Sequence, residues 1–248
     1  MAKDLENDNK TIVFTGSSGG TGTSFLAACT ASWFALNEDK STLLLDLNQY
    51  SMDSRQVFDL QGSEIKDLGD IGTGIEEIDF EIIKRLSINL ENSLDLILPP
   101  KSPGFSDIFD RQKLKEFIER LKGFFEIIII DMPRMIFGRI LCELDDIATR
   151  SVIISLPHEI SLKNAYMILN EVLTSRCLCP ADLIVNKYNL KPVIHPSKIG
   201  SLLPIPVKAF IPYDKDIEYL FFKEGPSSIY KYNLRMVRII KELIGSLT

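Results

Sequence analysis

Apolar residues along this chain follow two patterns: short continuous runs, and longer stretches in which they recur at helical spacing. Short continuous runs are typical of strands that are covered on both faces, as in a parallel sheet. The predicted strands are Thr11–Thr15, Thr42–Asp46, Leu94–Leu98, Ile127–Asp131, Ser151–Ser155, Asp182–Val185 and Val207–Ile211. The predicted helices are Thr23–Leu36, Arg111–Lys122, Ile140–Ala148, Leu162–Thr174 and Asn233–Ile244.

The alternation of strands and helices predicts an α/β fold with right-handed crossovers. We expect a single domain, a mainly parallel twisted sheet of about seven strands with helices on both faces. No repeat, linker or composition break divides the 248 residues, so residues 11–248 are predicted to form this domain. The polar residues 1–10 are expected to form a flexible tail, and the glycine-rich, acidic segment 61–85 a surface loop with short helices.

The first predicted strand leads directly into a glycine-rich stretch, Gly16–Ser24, and a helical pattern follows at once. Strand, glycine loop and helix form the context of a phosphate-binding loop. Glycines let successive backbone N–H groups converge on phosphate oxygens, and the helix N-terminus adds a positive partial charge. Ser24 stands where such a loop supplies a hydroxyl to Mg²⁺. An ordinary tight turn is the alternative, and the motifs further along the chain favour phosphate binding.

A second motif is the apolar run Ile127–Ile130 that ends in Asp131, two residues before Pro133. An acid at the carboxyl end of a buried parallel strand lies at the ligand edge of the sheet. There it can hold Mg²⁺ through water. A structural turn is the competing interpretation of Asp131.

The ordered set of motifs resembles the ParA/MinD family of ATPases, which implies a P-loop NTPase fold that binds ATP or ADP with Mg²⁺. The glycine loop is similar to that family's deviant loop, K-G-G-x-G-K-[ST], but Ser18 and Thr23 stand where the family has lysines. Loops of the form G-G-x-G-T-S look like those of the CpaE/TadZ branch, associated with pilus assembly and polar placement. The resemblance implies phosphate contacts from Ser18, Gly19, Gly20, Thr21, Gly22, Thr23 and Ser24.

Further motifs extend the resemblance over nearly the whole chain. Asp46 matches the first acid of the family's switch I, near Mg²⁺ and the attacking water, and Asn48 replaces the second. A helix N-cap or a strand-end turn is the alternative for Asp46. The 127–133 segment resembles the Walker B strand, so the implied Mg²⁺ site is Ser24, Asp46 and Asp131. On the base side, the resemblance implies contacts from Asn186 and from the loop Pro212, Tyr213 and Asp214.

The departures from the family pattern bear on catalysis. A hydrogen bond to a charged group contributes about 1.5–3 kcal/mol, so losing a lysine weakens phosphate binding by roughly 10- to 100-fold. Asn48 can orient water but cannot accept a proton as a carboxylate does. We therefore expect at most a weak Mg-dependent ATPase. Lys101 and Arg134 follow strand ends, where they either approach the phosphates or are solvated surface charges. Ser161 is expected to cap the helix after the fifth strand.

The amino-acid composition restricts the kinds of partner that the chain is expected to bind. The net charge is -6 and the pI is about 5.1, which argues against a nucleic-acid partner, whose affinity comes mainly from Lys and Arg. The four cysteines lack metal-ligand spacing and are expected to be reduced thiols. The polar N-terminus lacks a secretory signal, and we expect a cytoplasmic protein that reaches a membrane or cell pole through partners. The basic, amphipathic last helix is expected to pack on the sheet rather than contact a membrane.

Three functions are compatible with the sequence. The resemblance implies a homodimer around two nucleotides and a positional switch governed by nucleotide state, with a pilus or polar-complex protein as partner. The alternative is a scaffold of the same fold that binds nucleotide without hydrolysing it. A DNA-partition ATPase is disfavoured by the acidic charge and by the absence of both loop lysines.

Overall fold

A computed structural model of the chain describes residues 9–49, 53–60, 65–71, 78–91, 93–101, 111–134, 144–175, 177–190 and 194–247. An eight-stranded sheet forms its centre. The strands are β1 Lys10–Gly16, β2 Thr42–Asp46, β3 Ile88–Glu91, β4 Leu94–Ile97, β5 Ile127–Met132, β6 Arg150–Ser155, β7 Ala181–Asn186 and β8 Val207–Ile211. The helices are α1 Thr23–Asn37, α2 Asp53–Val57, α3 Phe80–Leu86, α4 Arg111–Leu121, α5 Glu159–Thr174, α6 Pro196–Ile199, α7 Lys215–Glu224 and α8 Arg235–Gly245. Short 3₁₀ helices span Leu68–Asp70 and Pro226–Lys231.

The sheet order is β3-β4-β2-β5-β1-β6-β7-β8, and every neighbouring pair except β3–β4 is parallel. Strand β1 therefore lies inside the sheet, between β5 and β6. The register places Asp46 of β2 directly opposite Asp131 of β5. The glycine loop and both acids thus leave the sheet at the same carboxyl edge, where ligands bind in folds of this type.

The core has two layers, one on each face of the sheet. Alternate residues of a strand point to opposite layers: Ile128 and Ile130 pack on one face with α4 and α5. Ile127 and Ile129 pack on the other face with α1, α7 and α8. Both sides of these strands are apolar because both are covered, which is the physical reason for their continuous apolar runs.

The structure confirms the predicted α/β fold and adds an eighth strand. All seven predicted strands are present, with ends that differ by at most one residue. The additional strand, β3, is antiparallel at the sheet edge and half exposed, so its residues Ile-Asn-Leu-Glu alternate in burial instead of forming an apolar run. Three further helices, α2, α6 and α7, were not predicted, whereas α3 and the 3₁₀ helix Leu68–Asp70 lie in or at the end of segment 61–85, where short helices were expected.

Two of the predicted helices differ from those in the structure. Helix α5 begins at Glu159, three residues before the predicted start, and its N-cap is His158, whose Nδ1 accepts from the Ser161 N–H at 3.3 Å. The prediction of Ser161 as the cap was therefore wrong, because this residue already lies in the first turn with a fully buried hydroxyl. The first four residues of the predicted helix 140–148 fall outside the described residues, and the other five, 144–148, form turns rather than a helix.

The last helix, α8, packs its apolar side on the fold. Met236, Val237, Ile240, Leu243 and Ile244 are buried in the same layer as α1. No helix in the described part of the chain is both long enough and apolar enough to span a membrane.

Candidate functional site

A cavity of about 590 Å³ opens where β1 ends. The sequence-predicted residues that line it are Ser18, Gly19, Gly20, Thr21, Gly22, Thr23, Ser24, Asn48, Asn186, Tyr213 and Asp214. Asp46 and Asp131 are each only 1% exposed and lie beneath this lining. Pro212 does not contribute to it. The fold thus gathers around one cavity residues as far apart in sequence as Ser18 and Asp214, which are 196 positions apart.

The glycine loop takes a backbone course that ordinary residues disfavour. Gly20 and Gly22 have φ of 72° and 82°, and Gly22 is the N-cap of α1. A Cβ on Gly22 would lie 2.6 Å from Nδ2 of Asn186, which is too close for any side chain. Glycine is required here both for the left-handed conformation and for the approach of β7. The backbone N–H groups in the first turn of α1 point toward the cavity, which lies at this end of the helix.

Ser161 fixes the loop to the neighbouring strand. Its Oγ lies 2.7 Å from Oγ of Ser17 and 3.0 Å from Oγ of Ser18. The same Oγ accepts from the backbone N–H of Leu156, just after β6, at 2.9 Å. One buried hydroxyl on α5 thereby joins the glycine loop to the end of β6.

The residues that stand where the family has lysines have hydroxyl partners in α5 and in the loop. Oγ of Ser18 contacts Ser161, and Oγ1 of Thr23 lies 2.9 Å from Oγ1 of Thr21. The Thr21 hydroxyl also donates to the carbonyl of Ser18 at 3.2 Å. These short hydroxyls stabilise the loop's shape but add no positive charge to it.

The two acids beneath the loop are unusual because they are buried without sufficient partners. Oδ1 of Asp46 accepts from the Asn48 N–H at 2.7 Å, whereas its Oδ2 has no hydrogen-bond partner among the described residues. The same holds for both carboxylate oxygens of Asp131. Buried polar atoms are normally satisfied, so each of these oxygens needs a partner beyond the described residues.

Burial raises the pKa of both carboxyl groups. The pKa of Asp46 rises to about 8, through burial first and then through the negative charge of Asp131. Burial raises the pKa of Asp131 to about 6. The nearby side chains of Ser24 and Asn48 oppose the rise at Asp131, although neither is in good hydrogen-bonding geometry to it. A bound cation would favour the charged form of both groups.

This oxygen-rich arrangement fits Mg²⁺. Two carboxylates and the Ser24 hydroxyl are hard ligands, and Mg²⁺ in nucleotide sites uses one or two carboxylates together with phosphates and water. The described residues contain no group of three or more His, Cys, Asp and Glu side chains suited to a metal. The protein alone therefore does not supply a complete coordination shell, as expected where phosphates complete it.

The far side of the cavity combines polar and aromatic groups. Asn186 donates from Nδ2 to the carbonyl of Thr21 at 2.8 Å, and its Oδ1 accepts from the Lys187 N–H at 2.8 Å. Its amide thus links β7 to the loop, and the contact with a base stays a prediction. Asp214 caps α7 by accepting from the N–H groups of Asp216 and Ile217. Tyr213 donates its hydroxyl to Glu218 at 2.7 Å.

Several lining residues were missed by the sequence analysis. Phe25 and Phe221 pack with ring centroids 4.5 Å apart, and Phe222 joins them on the cavity wall. Both later residues belong to α7, whose start is signalled in the sequence by Asp214 at the N-cap position. Recognising that cap would have predicted the helix and its aromatic face.

The two cations that follow strand ends have different surroundings. Lys101 donates to the carbonyl of Ile65 at 3.1 Å and lies 4.0 Å from Asp67, outside the cavity. Arg134 lines the cavity and donates from Nη1 to the carbonyl of Ser17 at 3.2 Å. Of the two interpretations offered for Lys101, the structure favours a surface charge, because the side chain is 44% exposed and lies near Asp67.

Comparison with known proteins identifies the fold. No protein-family profile and no curated protein matches the sequence. A ParA family ATPase from Chlorobium tepidum TLS matches with a TM-score of 0.80 at 21% identity, over 95% of this chain and 98% of that one. MinD from Pyrococcus horikoshii OT3, complexed with Mg-ADP, gives 0.76 at 18% identity over 96% of each chain. The MinC:MinD complex of Aquifex aeolicus matches with a TM-score of 0.75 at 19% identity, over 96% of this chain and 95% of that one. The chain has the fold of the ParA/MinD P-loop ATPases.

Proposed function

We propose that this chain belongs with the ParA/MinD ATPases in function as well as fold, and binds ATP or ADP together with Mg²⁺. The observation that carries the proposal is the pair Asp46 and Asp131, whose unpartnered oxygens lie beneath a glycine loop at the end of β1. Leaving such oxygens unpaired is costly, and a ligand that brings a divalent cation offsets that cost.

Each part of the site has a distinct task in this proposal. Backbone N–H groups of residues 18–24 and the N-terminus of α1 bind the phosphates. Ser24, Asp46 and Asp131 hold Mg²⁺, which supplies charge neutralisation at the phosphates. The base lies toward Asn186 and the loop Pro212, Tyr213 and Asp214, beside the aromatic wall.

We propose that hydrolysis is slow or absent. Asn48 lines the cavity after β2, and its amide can orient a water molecule but cannot take a proton from it. The loop residues Ser18 and Thr23 add no charge to stabilise a transferring phosphoryl group. The site is therefore suited to holding nucleotide for a long time, as a positional switch or a non-hydrolysing scaffold does.

The central experiment is calorimetric titration with ATP and ADP, with and without Mg²⁺, on the wild type and Asp131→Asn. We expect saturable, Mg-dependent binding that the substitution weakens by about 10-fold or more, the effect of losing a charged contact. The matched control is Asp146→Asn, an exposed acid paired with Lys115, which leaves affinity unchanged.

Absence of any binding signal at millimolar nucleotide would contradict the proposal. Phosphate release, measured on the wild type and on Asp131→Asn, distinguishes the positional switch from the scaffold. Turnover that Asp131→Asn abolishes supports a switch, whereas retained nucleotide without turnover supports a scaffold.

We further propose that the chain forms a homodimer and that a protein partner reads its nucleotide state. MinD of Aquifex aeolicus, which shares the fold, forms a complex with MinC. A role in pilus assembly or polar placement rests on the resemblance of the loop to the CpaE/TadZ branch. Ultracentrifugation with and without Mg-ATP tests the dimer, and the position of a fluorescent fusion in cells tests polar placement.

A further inference from the structure

The phosphate end of the cavity lacks positive charge from the loop itself. Residues 16–24 contain neither lysine nor arginine, and the hydroxyls of Ser18 and Thr23 are engaged with Ser161 of α5 and with Thr21 of the loop, respectively. Backbone amides and a helix N-terminus carry only partial charges. A di- or triphosphate carries several negative charges, so a full cation elsewhere in the cavity would add much to its binding.

The described residues that line the cavity include two cations, Arg134 and Lys187. Lys187 belongs to the far side: its Nζ lies 5.7 Å from the ring centroid of Tyr213 and 3.9 Å from Oε1 of Glu218. Its charge is therefore balanced by a neighbouring carboxylate. Arg134 has no such carboxylate among its contacts in the described part of the chain.

Arg134 is held at the base of the glycine loop. It follows β5 by two positions, and its Nη1 donates to the carbonyl of Ser17 at 3.2 Å. A guanidinium has five N–H donors, and this bond uses one of them. The remaining donors of this exposed side chain have no partner among the described residues. The contact anchors the group beside the loop and leaves donors for a ligand.

We propose that Arg134 is a phosphate-binding residue, which supplies from within the same chain the charge that the loop lacks. This inference rests on the proposed nucleotide binding. A guanidinium pairs with phosphate through two parallel hydrogen bonds, and the bond to Ser17 restricts its position before the ligand arrives. Phosphate charge is thereby neutralised by a single protomer, so nucleotide affinity does not require a second subunit.

The test compares AMP, ADP and ATP binding by calorimetry, in the presence of Mg²⁺, for wild type, Arg134→Ala and Arg134→Lys. We expect Arg134→Ala to weaken ATP binding by about 10- to 100-fold and AMP binding much less, because the lost contact is to phosphate. Arg134→Lys keeps the charge but not the two-bond geometry, so its affinity for ATP should lie between those of the wild type and Arg134→Ala. Wild-type affinity should be the same at protein concentrations below and above any dimerisation.

Lys101→Ala is the matched control, since this cation also follows a strand end but lies outside the cavity. It should bind all three nucleotides as the wild type does. Equal affinity of Arg134→Ala and wild type for ATP would overturn the inference and leave nucleotide binding intact. An equal loss for AMP and ATP would show a structural role only and overturn it as well. A wild type that binds none of the three would overturn both proposals.

Discussion

At the scale of single residues, the site contains groups that cost stability in the absence of a ligand. Asp46 and Asp131 are fully buried acids whose registers coincide on adjacent strands. Burying a carboxylate without a partner is unfavourable, and two such groups side by side also repel each other. Apolar residues in their place would suit the surrounding core. The proposed Mg²⁺ site accounts for their presence, which a contribution to folding does not.

Gly22 is the residue whose substitution is most informative about the loop. We expect Gly22→Ala to lower the free energy of unfolding by about 2–4 kcal/mol. The strained φ of 82° and the loss of the Asn186–Thr21 bond both contribute. Thermal or urea unfolding measures the change.

Gly19→Ala is the control for that experiment, because an added Cβ at Gly19 meets no atom within 4 Å. Its stability should stay within about 1 kcal/mol of the wild type. Equal destabilisation by the two substitutions would show that the loop tolerates neither side chain, and that the approach of Asn186 is not the cause.

Single residues differed in how well the sequence predicted them. Asp131 was placed at the ligand edge of the sheet because it ends a buried strand, whereas Ser24 and Asp46 were joined to it through the resemblance to the ParA/MinD family. The role of Ser161 was not predicted, since a serine inside a helix gives no sign that its hydroxyl meets a loop about 144 residues earlier. The same is true of Asn186, whose partner is a backbone carbonyl.

At the scale of elements, the success of the sequence-based predictions depended on how deeply each element is buried. Apolar runs predicted the seven parallel strands, most of which are covered on both faces, although the edge strand β8 is only partly buried. Edge strand β3 and helix α7 were missed for a shared reason: each keeps one side exposed, which dilutes the apolar signal over a short length. Helix α7, which contributes Phe221 and Phe222 to the cavity wall, is therefore one of the elements that the sequence did not predict.

The contact between α5 and the glycine loop yields a prediction at this scale. We expect Ser161→Ala to lower the free energy of unfolding by about 1–3 kcal/mol, because buried Ser17 loses its hydrogen-bond partner among the described residues. Loss of the contact to Ser18 should also loosen the loop and weaken nucleotide binding. Urea unfolding and calorimetry measure the two effects.

Thr174→Ala serves as its control, since this hydroxyl lies at the exposed end of the same helix and bonds only within it. Its effect should stay below about 0.5–1 kcal/mol, with nucleotide affinity unchanged. If Ser161→Ala were as mild as this control, the hydroxyl network would have no part in holding the loop.

At the scale of the whole molecule, the raised pKa values of Asp46 and Asp131 make stability depend on pH. Folded protein holds protons on these groups at pH values where the unfolded chain, with ordinary carboxyl pKa values near 4, has released them. Their protonation therefore favours the folded state at low pH. This contribution is lost as pH rises toward about 8. The lowered pKa values of Glu126 and Asp145 act oppositely, but only below the ordinary carboxyl range.

We therefore expect the protein without Mg²⁺ to be more stable near pH 6 than near pH 8, by on the order of 1–3 kcal/mol. Mg²⁺ with nucleotide binds the ionised acids, so its stabilising effect should be greater at pH 8 and should reduce the difference. Urea unfolding at both pH values, with and without Mg-ADP, measures this. Asp46→Asn, which removes the group with the higher pKa, should flatten the pH dependence of the ligand-free protein. Parallel pH profiles for wild type and Asp46→Asn would show that Asp46 does not govern the pH dependence of stability.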